Sequence, residues 1–277
     1  MRPTPERICR AHASARIAPK GVAANDRGTH CTSVYRYAAA MTESPLGTAL
    51  GAEHGALADP TYRAAVVDLL GAIGYGEISA FERLAEDAKL APTLPDKVAL
   101  IAMASAEFAH VTRLRARLEQ LGADPFAAMA PFRPAIDAFH EHTAPSDWLE
   151  GLVKAYVGDG LARDFYREIA AFLDVETRDL IIDSLEDDVH AEFVVDRVRD
   201  AIAADHRLAG RLALWGRRLM GEALSQAQRV AADRDALTAL LAGGVDLPGM
   251  DLAALGRMFN RLTERHAYRM TELGLDH

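Results

Sequence analysis

Two short stretches decide the fold: Glu107-Phe-Ala-His110 and Asp187-Asp-Val-His190. In each, a histidine follows an acid by three positions, so both side chains project from one face of a helix. A further acid, Glu77 or Asp159, lies about thirty residues before each pair. Two helix hairpins, each with a carboxylate on its first helix and a carboxylate–histidine pair on its second, would produce this spacing. Packed as a bundle, they predict the ligand set of a carboxylate-bridged pair of iron or manganese ions.

The predicted carboxylates lie on apolar helix faces. Positions three, four and seven residues away share a face with a given residue. Around Glu77 and Glu107 these positions are apolar, apart from His110, and the face around Asp159 is similar although it includes Arg163. A metal-free cluster of buried carboxylates would have to take up protons. Two divalent cations would balance four carboxylates, and oxygen-rich ligation with two imidazoles suits iron or manganese.

Two alternatives remain within these motifs. Glu186 competes with Asp187 as the ligand of the second half, and we prefer Asp187 because it repeats the spacing of the first half. Asp183 is a candidate not for a ligand but for the acceptor of the free N–H of a ligand histidine. A third motif, Asp137-Ala-Phe-His140, has no partner hairpin, and we interpret it as coincidence or as a feature of the rim.

The pattern of caps, prolines and apolar residues predicts an all-α chain. Two long helices come first, then a proline-rich crossover with a short helix, then two more long helices. Two further helices follow at the C-terminal end. This is the connectivity of a ferritin-like four-helix bundle with a long crossover between helices two and three. The predicted helices cover residues 60–90, 96–121, 135–142, 146–172 (capped by Ser146 or Asp147), 175–204 (opened by Asp174 or Thr177), 207–232 (with a further turn or two to 241) and 251–273.

The N-terminal segment differs in composition from the rest of the chain. Residues 1–40 carry seven basic and two acidic side chains, whereas the remainder carries 24 basic and 38 acidic ones. We expect residues 1–56 to be a disordered extension, with Met41 as the natural start, and residues 57–277 to be the ferritin-like helical domain. The two cysteines, Cys9 and Cys31, both lie in the extension, which excludes thiolate metal sites and a disulfide framework in the predicted domain.

Composition also limits the partners. No stretch reaches eighteen uncharged apolar residues, so we predict no membrane span. The acidic body is not built as a general phosphate-binding surface. A reducing cytoplasmic location is consistent with the absence of cysteine from the domain. The sequence leaves a homodimer open.

The motifs resemble a known family. Gly74-Tyr-Gly-Glu77, Ala106-Glu-Phe-Ala-His110, Tyr156-Val-Gly-Asp159-Gly and Asp187-Asp-Val-His190-Ala-Glu-Phe are similar to those of ferritin-like proteins related to the tRNA 2-methylthio-isopentenyl-adenosine hydroxylases, in an actinobacterial branch. The resemblance implies a non-haem di-iron centre that activates dioxygen, with tRNA as substrate and a separate electron donor. It implies six metal ligands: Glu77, Glu107, His110, Asp159, Asp187 and His190. Two of the six are Asp where the family has Glu.

Two classes of function follow. The leading hypothesis is an oxygen-activating, di-iron oxidoreductase of the tRNA-modifying hydroxylase type. The alternative is a non-catalytic ferritin-like bundle that binds metal or has a structural role. An enzyme of the first class needs a cavity that opens onto the metal pair, whereas a structural bundle would have that space filled by bulky side chains.

Overall fold

A computed structural model describes residues 56–185, 191–242 and 250–277. Within these ranges the chain forms α-helices joined by short turns, and it contains no β-strand. The ten α-helices of the described residues are α1 Pro60–Asp87, α2 Leu94–Gln120, α3 Pro125–Met129, α4 Arg133–His142, α5 Trp148–Ala170, α6 Val175–Ser184, α7 Ala191–Ala204, α8 Arg207–Asp233, α9 Asp235–Ala242 and α10 Leu252–Glu272.

Side-chain caps set the beginnings of the long helices. Asp59 accepts hydrogen bonds from the backbone N–H groups of Thr61 and Tyr62, and Pro60 stands at the first helical position. Asp147 accepts from the N–H of Glu150 at the start of α5. Such caps satisfy N–H groups that have no partner inside the helix. The predicted starts at these two caps agree with the structure.

The structure describes the predicted fourth long helix in two parts. The sequence predicts one helix over residues 175–204, and the structure describes α6, which ends at Ser184, and α7, whose described part begins at Ala191. Residues 186–190, which carry Glu186, Asp187 and His190, lie outside the described residues. Asp174 rather than Thr177 caps α6, because its carboxylate accepts the N–H of Thr177.

The crossover between α2 and α5 is more helical than predicted. It contains α3 as well as the expected α4. Helix α3 lies directly against α1 at Gly71, where a Cβ atom would overlap the backbone carbonyl of Ala128. Glycine therefore permits the close approach that brings the crossover onto the bundle.

Helices α1 and α2 pass through two buried apolar clusters in opposite order. The cluster that includes Ile73 and Leu114 occupies one end of the bundle, and the cluster that includes Leu84 and Ala104 occupies the other. Glu77 follows Ile73 on α1, and Glu107 follows Ala104 on α2. Both acids therefore stand where one apolar cluster gives way to the other, which places a polar layer inside the bundle.

The C-terminal helices pack on this bundle through ion pairs as well as apolar contacts. Asp164 of α5 is almost completely buried and forms an ion pair with Arg269 of α10. Arg234, between α8 and α9, forms an ion pair with Asp68 of α1. These pairs join residues far apart in the sequence, so they fix how the added helices lie against α1 and α5.

One helical segment of the described residues, Pro60–Leu90, is long and apolar enough to cross a membrane by length and composition. Half of its most apolar window is buried inside the protein. The core helix of a bundle meets the same criteria, and α1 contributes to both apolar clusters. Packing within the protein thus accounts for its apolar character.

Candidate metal centre

Three of the six predicted ligands come together between α1 and α2. Glu77, Glu107 and His110 each offer one ligand atom, and these atoms lie within 4.8 Å of one another. The Nδ1 atom of His110 is 3.4 Å from Oε2 of Glu77. Because Glu107 and His110 are three residues apart on α2, both face Glu77 across the helix pair. We call Glu77, Glu107 and His110 the ligand trio.

Burial makes the trio electrostatically costly without a cation. The side chain of His110 is 3 % exposed and that of Glu77 is 12 % exposed. Burial raises the pKa of Glu77 above its ordinary value. Burial, with hydrogen bonding to Glu77 and repulsion by its charge, raises the pKa of Glu107 to about 9. Glu107 of the metal-free trio therefore holds a proton at neutral pH, and a bound cation would displace it.

Asp159 lies near the trio but is not one of its members. Its carboxylate forms an ion pair with Nε of Arg163, which lies one turn later on α5, at a distance of 2.7 Å. The side chain of Asp159 is 38 % exposed. Its negative charge raises the pKa of Glu77, and the charge of Arg163 lowers it. The structure thus places the predicted ligand Asp159 in an ion pair at the edge of the centre.

The sequence places Arg163 on the same helix face as Asp159 but predicts no role for it. It donates to the backbone carbonyl of Leu185 at 3.2 Å as well as pairing with Asp159. The signal was its spacing, since Asp159 and Arg163 are four residues apart on a helix. Arg163 places a fixed positive charge beside three carboxylates.

The second half of the predicted ligand set cannot be placed in the same way. Asp187, its alternative Glu186, and His190 lie outside the described residues, so their role stays a prediction. Asp183, the alternative acceptor for a ligand histidine, is exposed. The described centre thus contains two carboxylates and one imidazole, with Asp159 and Arg163 beside them.

Three tyrosines near the predicted ligands in the sequence, Tyr75, Tyr156 and Tyr166, have separate positions. The hydroxyl of Tyr75 donates to Asp137 at 2.6 Å, and that of Tyr156 donates to Glu272 at 2.6 Å. Tyr166 lines the cavity that contains the trio, and burial followed by the charge of Glu77 raises its pKa. The charge state of Tyr166 is therefore coupled to the trio.

A cavity of about 490 Å³ opens beside the trio. It follows α1 from Leu69 to Asp87, a length of about 27 Å at 1.5 Å per residue. Apolar side chains from α1, α4, α5, α8, α9 and α10 form most of its wall, including Ile136, Phe139, Leu224 and Met258. The volume falls in the range of sites for small organic ligands. The space next to the predicted metal centre is therefore open.

The charged and histidine side chains that line this cavity fall into two groups. One is the trio with Asp159 and Arg163, near the middle of α1. The other, at the C-terminal end of α1, consists of four side chains: Arg83, Asp87, His140 and Lys154. His140 belongs to the third acid-x-x-His motif, Asp137-Ala-Phe-His140, which we interpret from the sequence as a coincidence or as a feature of the rim of the site. Its acid, Asp137, pairs instead with Arg133 and Tyr75.

Comparisons with known proteins agree on the fold. A family described as "Ferritin-like domain, actinomycetes" matches residues 60–244. Among solved structures, a Synechococcus protein described as protein 19 with aldehyde deformylating oxidase activity is similar, with a TM-score of 0.59 and 20 % sequence identity. The match covers 79 % of this chain and 94 % of that one. A comparison with curated proteins found no match. The predicted all-α, ferritin-like fold is confirmed.

Proposed function

Because the chain belongs to the actinomycete family of ferritin-like domains, we propose that it is an iron-dependent enzyme that oxidises an apolar organic substrate with dioxygen. One observation carries the proposal: the ligand trio lies in the wall of a long apolar cavity. A ferritin-like bundle with a structural role would fill that space with side chains. Here the space is open along α1 on both sides of the trio, from Leu69 to Asp87.

The donor set of the trio fits a hard or borderline divalent cation. Two carboxylates and one imidazole are ligands that suit iron and manganese. Glu77 Oε2 is buried and has no hydrogen-bond partner in the part of the chain that the structure describes. Glu77, Glu107 and His110 would hold one ion, and Asp159, Asp187 and His190 are the proposed ligands of a second. When bound, the iron pair would supply the activation of dioxygen.

The chain's own residues prepare the site in two ways. Arg163 holds Asp159 at the edge of the trio, and its charge partly offsets the repulsion among the carboxylates. The apolar wall excludes water, which strengthens every electrostatic interaction at the centre. The arrangement keeps a hydrophobic molecule beside a polar, cation-binding point.

The substrate class follows from the wall of the cavity. Apart from the two polar groups, the lining consists mainly of Ala, Leu, Ile, Val, Met and Phe side chains. Such a wall favours an aliphatic compound, since burial of apolar surface stabilises the complex by about 25 cal/mol per Å². The activity described for the Synechococcus protein, aldehyde deformylation, supports oxidation of a compound of this kind.

Hydroxylation of an isopentenyl group on tRNA is the second candidate. It is supported by the motif resemblance and by the apolar cavity, which would accept a branched five-carbon group. The nucleic acid would also need basic side chains around the entrance. Arg211 is already paired with Asp147 and Glu150. Arg218 donates to the carbonyl of His142, and its guanidinium lies over the Trp215 ring. Both arginines therefore already have partners within the protein. This second candidate predicts that the protein binds tRNA and that the binding weakens as the salt concentration rises. The first candidate predicts no tRNA binding.

The experiment that tests the proposal is the metal content of the purified chain and of two variants. We expect about two iron ions per chain, as in carboxylate-bridged centres, and loss of iron in Glu107→Ala and in His110→Ala. Glu119→Ala and His206→Ala are matched controls, because both residues are exposed and outside the cavity. An iron-free wild-type protein, or retention of iron in both trio variants, would contradict the proposal.

Oxygen consumption then distinguishes an enzyme from a metal-binding bundle. The iron-loaded protein, given a chemical reductant, should consume dioxygen faster when a long-chain aliphatic compound is present. Consumption that is unaffected by any apolar compound, with iron bound, would favour the non-catalytic alternative. The metal and oxygen measurements therefore test binding and catalysis separately.

A further inference from the structure

The cavity has a second polar group that the proposed metal centre does not use. It consists of Arg83, Asp87, His140 and Lys154, and we call it the polar end. Asp87 and Lys154 are both buried. Apolar side chains line the cavity between this group and the trio, among them Ala80, Leu84 and Ala155.

Lys154 is the central residue of the polar end. It is 6 % exposed, and its Nζ donates one hydrogen bond, to the backbone carbonyl of Thr143 at 2.7 Å. The ammonium also lies 5.6 Å from the centre of the Phe139 ring. Among the described residues it forms no ion pair within 4.0 Å, although the charge of Asp87 acts on it. An ammonium has three N–H donors, so two remain for a group inside the cavity.

The charged side chains around Lys154 carry a positive excess that would favour a bound anion. Two cationic side chains, Arg83 and Lys154, face the cavity with one carboxylate, Asp87. Arg83 also pairs with Glu86 at the surface, at 2.9 Å. Burial raises the pKa of Asp87 to about 6 and lowers that of Lys154 to about 8, and the attraction between the two charges offsets only part of each shift.

His140 adds a neutral polar atom to the same end. Burial, reinforced by the charges of Lys154 and Arg83, lowers its pKa to about 3. Its Nδ1 atom is buried and has no hydrogen-bond partner among the described residues. Since a buried polar atom without a partner costs free energy, a ligand group that bonds to it would be favoured.

The polar end lies well away from the metal centre. Ten residues of α1 separate Asp87 from Glu77, about 15 Å of helix axis, and five residues of α5 separate Lys154 from Asp159, about 8 Å. A molecule with its charged end at Lys154 would therefore present to the trio a carbon atom that is about 8–15 Å away from that end.

We propose that the polar end binds the carboxylate of a long-chain aliphatic acid, so that the substrate lies along α1 and reacts at a carbon atom remote from the carboxyl group. Lys154 and Arg83 supply the charge, and His140 supplies a further hydrogen bond. This assignment of a substrate class rests on the proposed oxidation of an apolar compound at the trio. The binding of the acid itself needs no metal.

Calorimetric binding of dodecanoate and of dodecan-1-ol to the metal-free chain at pH 7.5 tests the proposal. The two probes share one alkyl chain and differ in charge. We expect dodecanoate to bind at least about tenfold more tightly, since a charge-assisted hydrogen bond contributes on the order of a factor of ten or more. Equal affinity for the two probes, or no binding of dodecanoate, would overturn the proposal.

Variants locate the site. Lys154→Met and Arg83→Met should each reduce the preference for the acid, whereas Lys154→Arg should preserve it. Lys89→Met is the matched control, because it removes a positive charge that is exposed and outside the cavity. If Lys154→Met fails to fold, Arg83→Met and the comparison of acid with alcohol decide. A folded Lys154→Met that keeps the preference would contradict the assignment.

One further variant separates this proposal from the proposed function. Glu107→Ala should lose iron but still bind dodecanoate, because the polar end does not include the trio. Absence of iron from the wild-type protein would overturn the proposed oxidation and leave acid binding measurable. Loss of the acid preference with iron retained would overturn the substrate class alone.

Discussion

Oε2 of Glu77 lies 3.4 Å from Nδ1 of His110, although the two residues belong to different helices and stand 33 positions apart in the chain. Glu107 completes the trio from the same helix as His110. Two carboxylates and an imidazole are thereby held in a mostly buried layer between two apolar clusters. The consequences of this layer for stability can be measured without knowledge of the substrate.

The metal-free protein should lose stability as pH rises. The pKa of Glu107 is about 9 in the folded chain, above its ordinary value of 4.5. Between these values the folded state holds a proton that the unfolded state has released, so the free energy of unfolding falls with pH, by at most about 1.4 kcal/mol per pH unit. Urea unfolding with a chelator at pH 6 and pH 8.5 measures this slope.

Replacement of Glu107 by Gln should flatten that slope, because the amide does not titrate. Glu119→Gln, an exposed change on the same helix, should leave it as in the wild-type protein. If the wild-type chain is equally stable at both pH values, Glu107 does not hold its proton as the structure indicates.

Gly71→Ala should strongly destabilise the protein. The added Cβ would overlap the backbone carbonyl of Ala128, and backbone cannot move aside as a flexible side chain can. We expect a loss of about 1–3 kcal/mol, as for other overpacked sites. Gly221→Ala is the control, since nothing lies within 4 Å of its Cβ position, and it should stabilise α8 by up to about 1 kcal/mol. A melting temperature unchanged by Gly71→Ala would show that α3 does not pack on α1 as described.

Asp164→Ala should be among the most destabilising single changes in α5. Asp164 is almost completely buried and faces Arg269, Arg265 and Arg167. Removal of one partner from a buried ion pair leaves an uncompensated charge and costs about 3–5 kcal/mol. Asp205→Ala removes the exposed pair with Arg207 and should cost less than about 1 kcal/mol. Equal effects of the two changes in chemical denaturation would contradict the burial of the Asp164 network.

His266 should contribute to acid sensitivity. Burial, followed by the charge of Arg269, lowers its pKa to about 4. Between pH 6.5 and pH 4 the unfolded chain binds a proton that the folded chain does not, so stability falls as pH falls through this window. His266→Leu should retain more stability at pH 4.5, relative to pH 7.5, than the wild-type chain. Both ring nitrogens of His266 lack hydrogen-bond partners in the described residues, so we expect no loss at pH 7.5 beyond that of a change in packing. An identical pH profile for the two proteins would show that His266 titrates as an exposed histidine does.

The helices could be predicted from local signals. Asp59 with Pro60, and Asp147, are capping residues whose effect depends on neighbours within one turn. Of the predicted helix over residues 175–204, the structure describes α6, which ends at Ser184, and α7 from Ala191 onward. Residues 186–190 lie outside the described residues, so the continuity of this helix stays a prediction.

The trio could be predicted because its spacing is also a local property. Glu107 and His110 share a face by helix geometry alone, and Glu77 follows from the repeat of the hairpin. The spacing of Asp159 and Arg163 permits their ion pair but does not decide it. An acid with an arginine four residues later can pair along its own helix or point across the bundle, and the choice depends on the charges that the other helices bring near.

The sequence by itself determined the all-α class, the approximate helices and the acid–histidine motifs, because helix periodicity and capping act over a few residues. Only the tertiary structure decided the cavity, the position of Lys154 at its end, and the approach of α3 to Gly71. These features depend on the way in which helices distant in sequence pack, and the packing free energy of one helix pair cannot be read from either helix alone.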